Sequence, residues 1–187
     1  MFILDNVLTT AECSTLAAAI AQHYQKHQDE FPEKHTGDTL VSQSFSAYAL
    51  PETEELLLKL TPQVSKITRA ELYPTYSYCR MYFPRASMKK HVDRAACEVS
   101  MSLFLGGDSW PLWFLLDQPT PVTLDVGSAV LYPGLDTVHW REEYTGTGCT
   151  QVFLHWVNAN GPHSSWKYDK RPSIGAAEID KNYWGKS

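Results

Sequence analysis

His91-Val-Asp93 sets an imidazole and a carboxylate two residues apart. On an extended strand, residues i and i+2 project from the same face, so the two groups converge on one space. Seven histidines in the chain make a chance tripeptide of this kind common, and an ion pair beside Lys89, Lys90 and Arg94 would use the same residues. A third donor lies downstream. Gly127-Ser-Ala-Val-Leu-Tyr-Pro-Gly134 reads as a turn, a buried strand and a second turn, and Asp136-Thr-Val-His139 follows it. If the strand carrying His139 pairs beside the one carrying His91, two imidazoles and one carboxylate share a face. That is a two-histidine, one-carboxylate facial triad, which leaves three positions of an octahedral ion open. Nitrogen and oxygen donors suit iron(II), and the vacant positions suit a chelating cosubstrate and dioxygen. Zinc prefers a closed tetrahedron or a site with one open position. His91, Asp93 and His139 are therefore the expected metal ligands and the expected catalytic centre.

Two kinds of element must position them. Thr9 and Glu12 form a capping box at a helix start, and Leu16, Ile20 and Tyr24 continue it as one apolar face. Residues 28–46 are polar, with Pro32 and Gly37, and read as a loop. Pro51 opens a second helix buried through Leu56, Leu57 and Leu60; Thr61-Pro62 restarts a further set of turns that ends before Pro74. From Tyr76 the period falls to two: Tyr76, Tyr78, Arg80 and Tyr82 lie on one strand face, and Ser77, Cys79, Met81 and Phe83 on the other. Further strands are expected at 97–105, 111–116, 122–125, 128–132, 137–142 and 150–157, separated by glycine and proline turns. Many short strands without intervening helices predict an antiparallel sandwich or barrel.

The chain has 187 residues, 43% hydrophobic, enough for one core. Its 16 basic and 21 acidic residues give a net charge of −5, which argues against an affinity built on nucleic-acid phosphates. No apolar run is long enough for a bilayer, and Met1–Asp5 has no basic region of the secretory kind. Cys13, Cys79, Cys97 and Cys149 form no C-x-x-C pair and read as reduced thiols. A cytoplasmic protein is expected, its oligomeric state open.

His91-x-Asp93, the Gly127 turn, His139 and the closing strand Val152-Phe-Leu-His-Trp156 resemble the core of iron(II)/2-oxoglutarate-dependent dioxygenases. The prolyl 4-hydroxylase-like branch is the nearest. His-Val-Asp-Arg-Ala-Ala-Cys-Glu-Val-Ser from His91 and His-Trp-Arg-Glu from His139 are similar to small bacterial and phage oxygenases within it. The resemblance covers Tyr76 to Val157 and extends to Tyr168-Asp-Lys-Arg171-Pro172. It implies a mainly β fold with N-terminal helices: a double-stranded β-helix, or jelly-roll, cupin-like barrel, with a helical layer on one sheet. As a single domain, residues 1–75 would be a helical buttress, 76–157 the core and 158–187 a C-terminal extension. The implied activity hydroxylates a C–H bond of a peptide, amino acid or other small substrate. Iron(II) and dioxygen are used, 2-oxoglutarate becomes succinate and carbon dioxide, and ascorbate serves as reductant.

One departure stands out. The family places an Arg or Lys shortly after the distal His to pair with the far carboxylate of 2-oxoglutarate, and here Gly148-Cys149-Thr150-Gln151 offers no cation. Strand parity makes Arg141, on the side of His139, the first substitute. Arg80 is the second, with Tyr78 and Tyr82 beside it; Tyr82 stands near the position of the family's cosubstrate-binding Tyr. Trp110, Trp113 and Trp140 are expected to wall the cavity. Arg94 and Arg171 would meet substrate at its mouth or be solvated, and His155 would pack or hydrogen-bond within its strand. The rival reading is a non-catalytic, cupin-like metal- or ligand-binding barrel, for which the missing cation is the best argument.

Overall fold

The computed structural model describes residues 1–30 and 37–175. In chain order the elements are β1 (Phe2–Leu4), α1 (Thr10–Glu30), β2 (Ser44–Tyr48), α2 (Pro51–Thr68), β3 (Leu72–Tyr82), β4 (Met88–His91), β5 (Val99–Gly107), β6 (Leu112–Leu115), β7 (Pro119–Val122), β8 (Ala129–Pro133), β9 (His139–Arg141) and β10 (Cys149–Asn158). Short 3-10 segments occupy Ala95–Cys97 and Ser164–Lys170.

The strands form two sheets with antiparallel pairing throughout. One has six strands in the order β1-β8-β5-β10-β3-β2, the other four in the order β4-β9-β6-β7. Alternation along β3 sorts its side chains as the period predicts. Cys79 joins Leu16 and Ile20 of α1, Leu57, Leu60 and Val64 of α2, and Leu154 and Trp156 of β10 in the layer between helices and large sheet. Tyr82 turns the other way, into a second cluster with Phe104, Val130 and Tyr132 of its own sheet and Met88, Leu112, Phe114 and Val122 of the small one. The helices therefore buttress one face of the large sheet, and the space between the sheets is left for the site.

Local signals explain most element starts. Thr9 N–H donates to Glu12 Oε2 at 2.8 Å and Glu12 N–H to Thr9 Oγ1 at 3.2 Å, closing the capping box. Those hydrogen bonds, with Lys59 at 3.1 Å, hold the Glu12 carboxyl down at about 2. Five expectations are corrected. Helix α1 runs to Glu30 and β2 begins at Ser44, so the ends of the expected 28–46 loop are structured; residues 31–36 lie outside the description. Pro62 does not restart the helix. The carbonyl it deprives belongs to Leu58, which is 49% exposed, so water can satisfy it while Leu57, Leu60 and Val64 keep the buried side continuous. Strand β3 includes Pro74, which sits opposite Trp156 just past a register shift in β10, where a missing N–H is tolerated. Strand β7 covers 119–122 rather than 122–125, since pairing to Leu112–Leu115 fixes it. Cys97 belongs to the 3-10 segment before β5, not to the strand. Strand β1 had no periodic signal at three residues; pairing to β8 creates it.

Candidate metal centre

His91 ends β4 and lies directly opposite His139, which begins β9. Their ring centroids are 4.2 Å apart. Asp93 is not on the strand. The chain leaves β4 after His91, and Asp93 N–H is anchored on the Gly134 carbonyl at 2.9 Å, so the loop between β8 and β9 sets its position. The i, i+2 geometry expected of a strand is thus replaced by an anchored bend with the same outcome. Asp93 Oδ1 lies 3.7 Å from His91 Nε2 and 3.6 Å from His139 Nε2, and the three donor atoms are mutually within 4.8 Å.

The surrounding hydrogen bonds fix which atoms face inward. His91 Nδ1–H donates to the Lys89 carbonyl at 2.8 Å, and His139 Nδ1–H to the Thr137 carbonyl at 2.9 Å. A carbonyl only accepts, so each ring carries a proton on Nδ1 and turns Nε2 toward Asp93. Burial, the largest influence, and neighbouring His91 pull the His139 pKa down, against the pull of Asp93. The neutral ring that a metal needs is favoured. Ser100 Oγ–H donates to Asp93 Oδ2 at 2.7 Å, leaving Oδ1 for the ion, and Ser100 is itself held by His155 Nδ1 at 3.0 Å. These are the outer contacts that orient ligands at metal sites. Donor types, tautomers and orientation all fit a divalent ion with open positions.

Gly134 makes the arrangement sterically possible. A Cβ there would lie 2.3 Å from the Cys97 carbonyl, 2.4 Å from Asp93 Oδ2 and 2.5 Å from Ser100 Oγ. Gly134→Ala is expected to displace the carboxylate, lowering Co(II) affinity by about tenfold or more, with a stability loss of about 1–3 kcal/mol. Cobalt titration and urea unfolding of the variant check both. Wild-type affinity in a folded Gly134→Ala protein would refute the steric argument.

The donors open into a cavity of about 670 Å³ whose walls include Tyr48, Tyr76, Tyr78, Arg80, Tyr82 and Tyr132. The candidate cations divide by partner. Arg80 lines this cavity but is taken by Asp38 Oδ2 at 2.6 Å and Ser44 Oγ at 3.0 Å. Arg94 grips both Asp169 oxygens at 2.7 and 2.8 Å and lies over the Tyr76 ring. Arg171, buried rather than solvated, pairs with Glu54 at 2.9 Å. Arg141 is 2% exposed and faces no carboxylate among the described residues; it does not bridge to Glu142 or Glu143. Its guanidinium donates to the Trp110 carbonyl and, at 2.6 Å, to Gln151 Oε1, while Nε has no partner. It borders a separate small void of about 10 Å³ with Phe104, Trp110 and Gln151. Burial lowers its pKa, and Tyr82 and Tyr132 are among the groups that act on it. Tyr82 Oη is buried without a partner too.

The expected tryptophan wall is corrected. Trp110 packs against Tyr82 and Arg141 beside the small void, while Trp113 and Trp140 pair across β6 and β9. Their strand neighbours Phe114, His139 and Arg141 take the inner face, so parity turns both indoles outward, where Lys90 lies 4.4 Å over Trp140. His155 reaches across to Ser100 on β5 rather than bonding within its own strand, and burial drives its pKa down to about 4. Sequence reasoning missed Ser100, Tyr132, Gly134 and Asp169. Tyr132 and Gly134 stood in the singled-out Gly127–Gly134 segment, Ser100 at the end of the phrase quoted from His91 and Asp169 in the Tyr168–Pro172 tail, but none was given a role there.

No protein-family model matches the chain, and no curated protein matches it by sequence. Solved structures do match. A prolyl-4-hydroxylase from Pseudomonas putida is 15% identical over 84% of this chain and 91% of its own, with a TM-score of 0.63. HygX from Streptomyces hygroscopicus, solved with nickel and 2-oxoglutarate bound, is 9% identical over 85% and 83%, TM-score 0.63. The viral collagen prolyl hydroxylase of Paramecium Bursaria Chlorella virus-1, in complex with 2-oxoglutarate, is 12% identical over 83% and 94%, TM-score 0.59. The chain shares their fold: mainly antiparallel β-sheet with helices on one side.

Proposed function

We propose that this chain is a non-haem iron(II)- and 2-oxoglutarate-dependent dioxygenase built as one double-stranded β-helix domain, with His91, Asp93 and His139 as the metal ligands. The observation that carries the reading is the convergence of Nε2, Nε2 and Oδ1 from these three residues, each oriented by a second hydrogen bond. Iron(II) held there supplies the coordination positions and electrons for dioxygen activation, with ascorbate as an accessory reductant. The chain's own part is to present three donors on one side of the ion, favour the neutral His139 imidazole through burial and leave the other side open to the cavity. A cavity of about 670 Å³ has room for 2-oxoglutarate and part of a peptide, amino acid or other small substrate. No helix among the described residues is long and apolar enough to cross a membrane, and the four cysteines are free. The free thiols support a cytoplasmic setting.

For the far carboxylate of 2-oxoglutarate, Arg141 is the stronger candidate. A buried guanidinium without an anion is costly, and a carboxylate would relieve that cost. The unpartnered Tyr82 hydroxyl supplies a donor to the same carboxylate. Arg80 already holds Asp38, and Tyr78 lies under the Arg80 guanidinium at 5.1 Å. The experiment is succinate release from purified protein with iron(II), ascorbate and 2-oxoglutarate, with and without Arg141→Gln. Wild type is expected to release succinate even uncoupled, and Arg141→Gln to raise the 2-oxoglutarate requirement at least about tenfold. Absence of both turnover and N-oxalylglycine binding would leave the cupin-like binding barrel as the answer.

A further inference from the structure

Tyr132 is buried at 5% exposure at the end of β8, with its ring edge-on to Phe114 and to His139 at centroid distances of 5.0 Å each. Its hydroxyl has one described partner, the His139 Nε2 lone pair, at 3.4 Å. This nitrogen is the atom that the proposed reading gives to the metal. An ion bound there consumes the lone pair, and the phenol becomes a buried donor with nothing among the described residues to donate to, which is unfavourable. Tyr132 lines the main cavity together with His91, Asp93 and His139. An acceptor must therefore arrive with whatever fills the open positions.

Resting on the assignment of a 2-oxo acid to this centre, we infer that the Tyr132 hydroxyl is a positioning donor for the metal-bound head of that acid. It donates to a 1-carboxylate oxygen, while Arg141 and Tyr82 hold the opposite end. The two ends of the cosubstrate are then recognised by separate groups. Tyr132 exchanges a long, weak bond to nitrogen for a charge-assisted bond to an anionic oxygen. This places the keto acid in one orientation about the ion, because only one of its two chelating oxygens is carboxylate. Tyr132 stays protonated and makes no covalent bond.

Two 2-oxo acids separate the ends. Pyruvate has the chelating head but no distal carboxylate, whereas 2-oxoglutarate has both. Co(II)-loaded wild type and Tyr132→Phe would be titrated with each by calorimetry, with Arg141→Gln in parallel. Tyr132→Phe keeps the ring packing and removes one oxygen. It is expected to leave Co(II) affinity within about twofold and to weaken pyruvate and 2-oxoglutarate alike by about tenfold. Arg141→Gln should weaken 2-oxoglutarate and spare pyruvate. The visible charge-transfer band of the anaerobic iron(II)–keto-acid complex should move in Tyr132→Phe, since the coordinated carboxylate loses its donor. Unchanged affinity for both acids in Tyr132→Phe overturns the inference while the dioxygenase reading stands. A loss confined to 2-oxoglutarate, or weakened Co(II) binding, also overturns it, pointing to the distal end or to the phenol as a ligand. If metal-loaded wild type binds neither acid, the dioxygenase reading itself fails.

Discussion

His139→Ala and Asp93→Ala are each expected to abolish tight metal binding and turnover while leaving the fold in place. Contacts that merely orient a ligand are worth about 10–100-fold in metal affinity, so removing a donor atom should exceed about a hundredfold. Any turnover that depends on the ion falls with it. The donors border a cavity rather than the packed layer under the helices. His139 is buried, yet its ring meets His91, Phe114 and Tyr132 on the side of that cavity. An apo-protein Tm change of no more than about 4 °C is therefore expected. Cobalt or iron(II) titration alongside thermal unfolding separates the two effects. Asp93→Asn adds a control of equal size: a neutral amide keeps the shape and the Ser100 contact but loses the charge, and should still weaken binding severely. Wild-type metal affinity in either alanine variant would remove the basis of the proposed function.

The largest effect on stability is expected at Arg171 and Glu54, far along the chain from the candidate metal ligands. Both side chains are 2% exposed, and Arg171 Nη1 lies 2.9 Å from Glu54 Oε2. Arg171 Nη2 also donates to Glu54 Oε1 at 3.1 Å and to the Thr75 carbonyl at 2.9 Å. Glu54 accepts further from Ser77 N–H at 3.0 Å and Gly175 N–H at 2.9 Å. The pair clamps the C-terminal segment onto α2 and β3. That segment carries Tyr168, Asp169 and Lys170 at φ of 55°, 55° and 62°, a left-handed run that costs roughly 1–2 kcal/mol per residue. The strain delivers the Asp169 carboxylate to Arg94 and to the Tyr48 hydroxyl, at 2.7 Å, in the cavity wall. Arg171→Met strands the Glu54 charge in the interior and should cost about 3–5 kcal/mol, or roughly 10 °C in Tm. Glu54→Leu combined with Arg171→Met should recover a good part, because no charge is then left unpaired. A single-variant Tm loss below about 2 °C would show that the clamp contributes little.

The capping box at Thr9, the apolar face of α1, and the inward set Tyr76, Tyr78, Arg80 and Tyr82 are periodic or local signals, and all are present as expected. Proline at 62 and 74 misled, since burial on one helix face and a register shift in a partner strand outweighed local preference. The tryptophans misled because abundance says nothing of facing; one-residue parity on β6 and β9 turned Trp113 and Trp140 outward. Strand parity did place Arg141 in the interior. It could not show that Arg80 would meet an aspartate from the segment before β2 and that Arg141 would meet none among the described residues.

The three donors were legible because ligand type and order along the chain are one-dimensional facts, and so was the antiparallel β character, which follows from a period of two between turn residues. What only the tertiary structure decided is everything that depends on distant segments meeting. The pairing of β4 with β9 brings the imidazoles together, and the loop at Gly134 steers a carboxylate that is not on the strand at all. Among the described residues, the ion pairs that occupy Arg80, Arg94 and Arg171 leave Arg141 as a buried guanidinium that faces no carboxylate. Such partners lie tens of residues away, and electrostatic cost in a low-dielectric interior is set by what stands across a few ångströms of space rather than by neighbours in sequence.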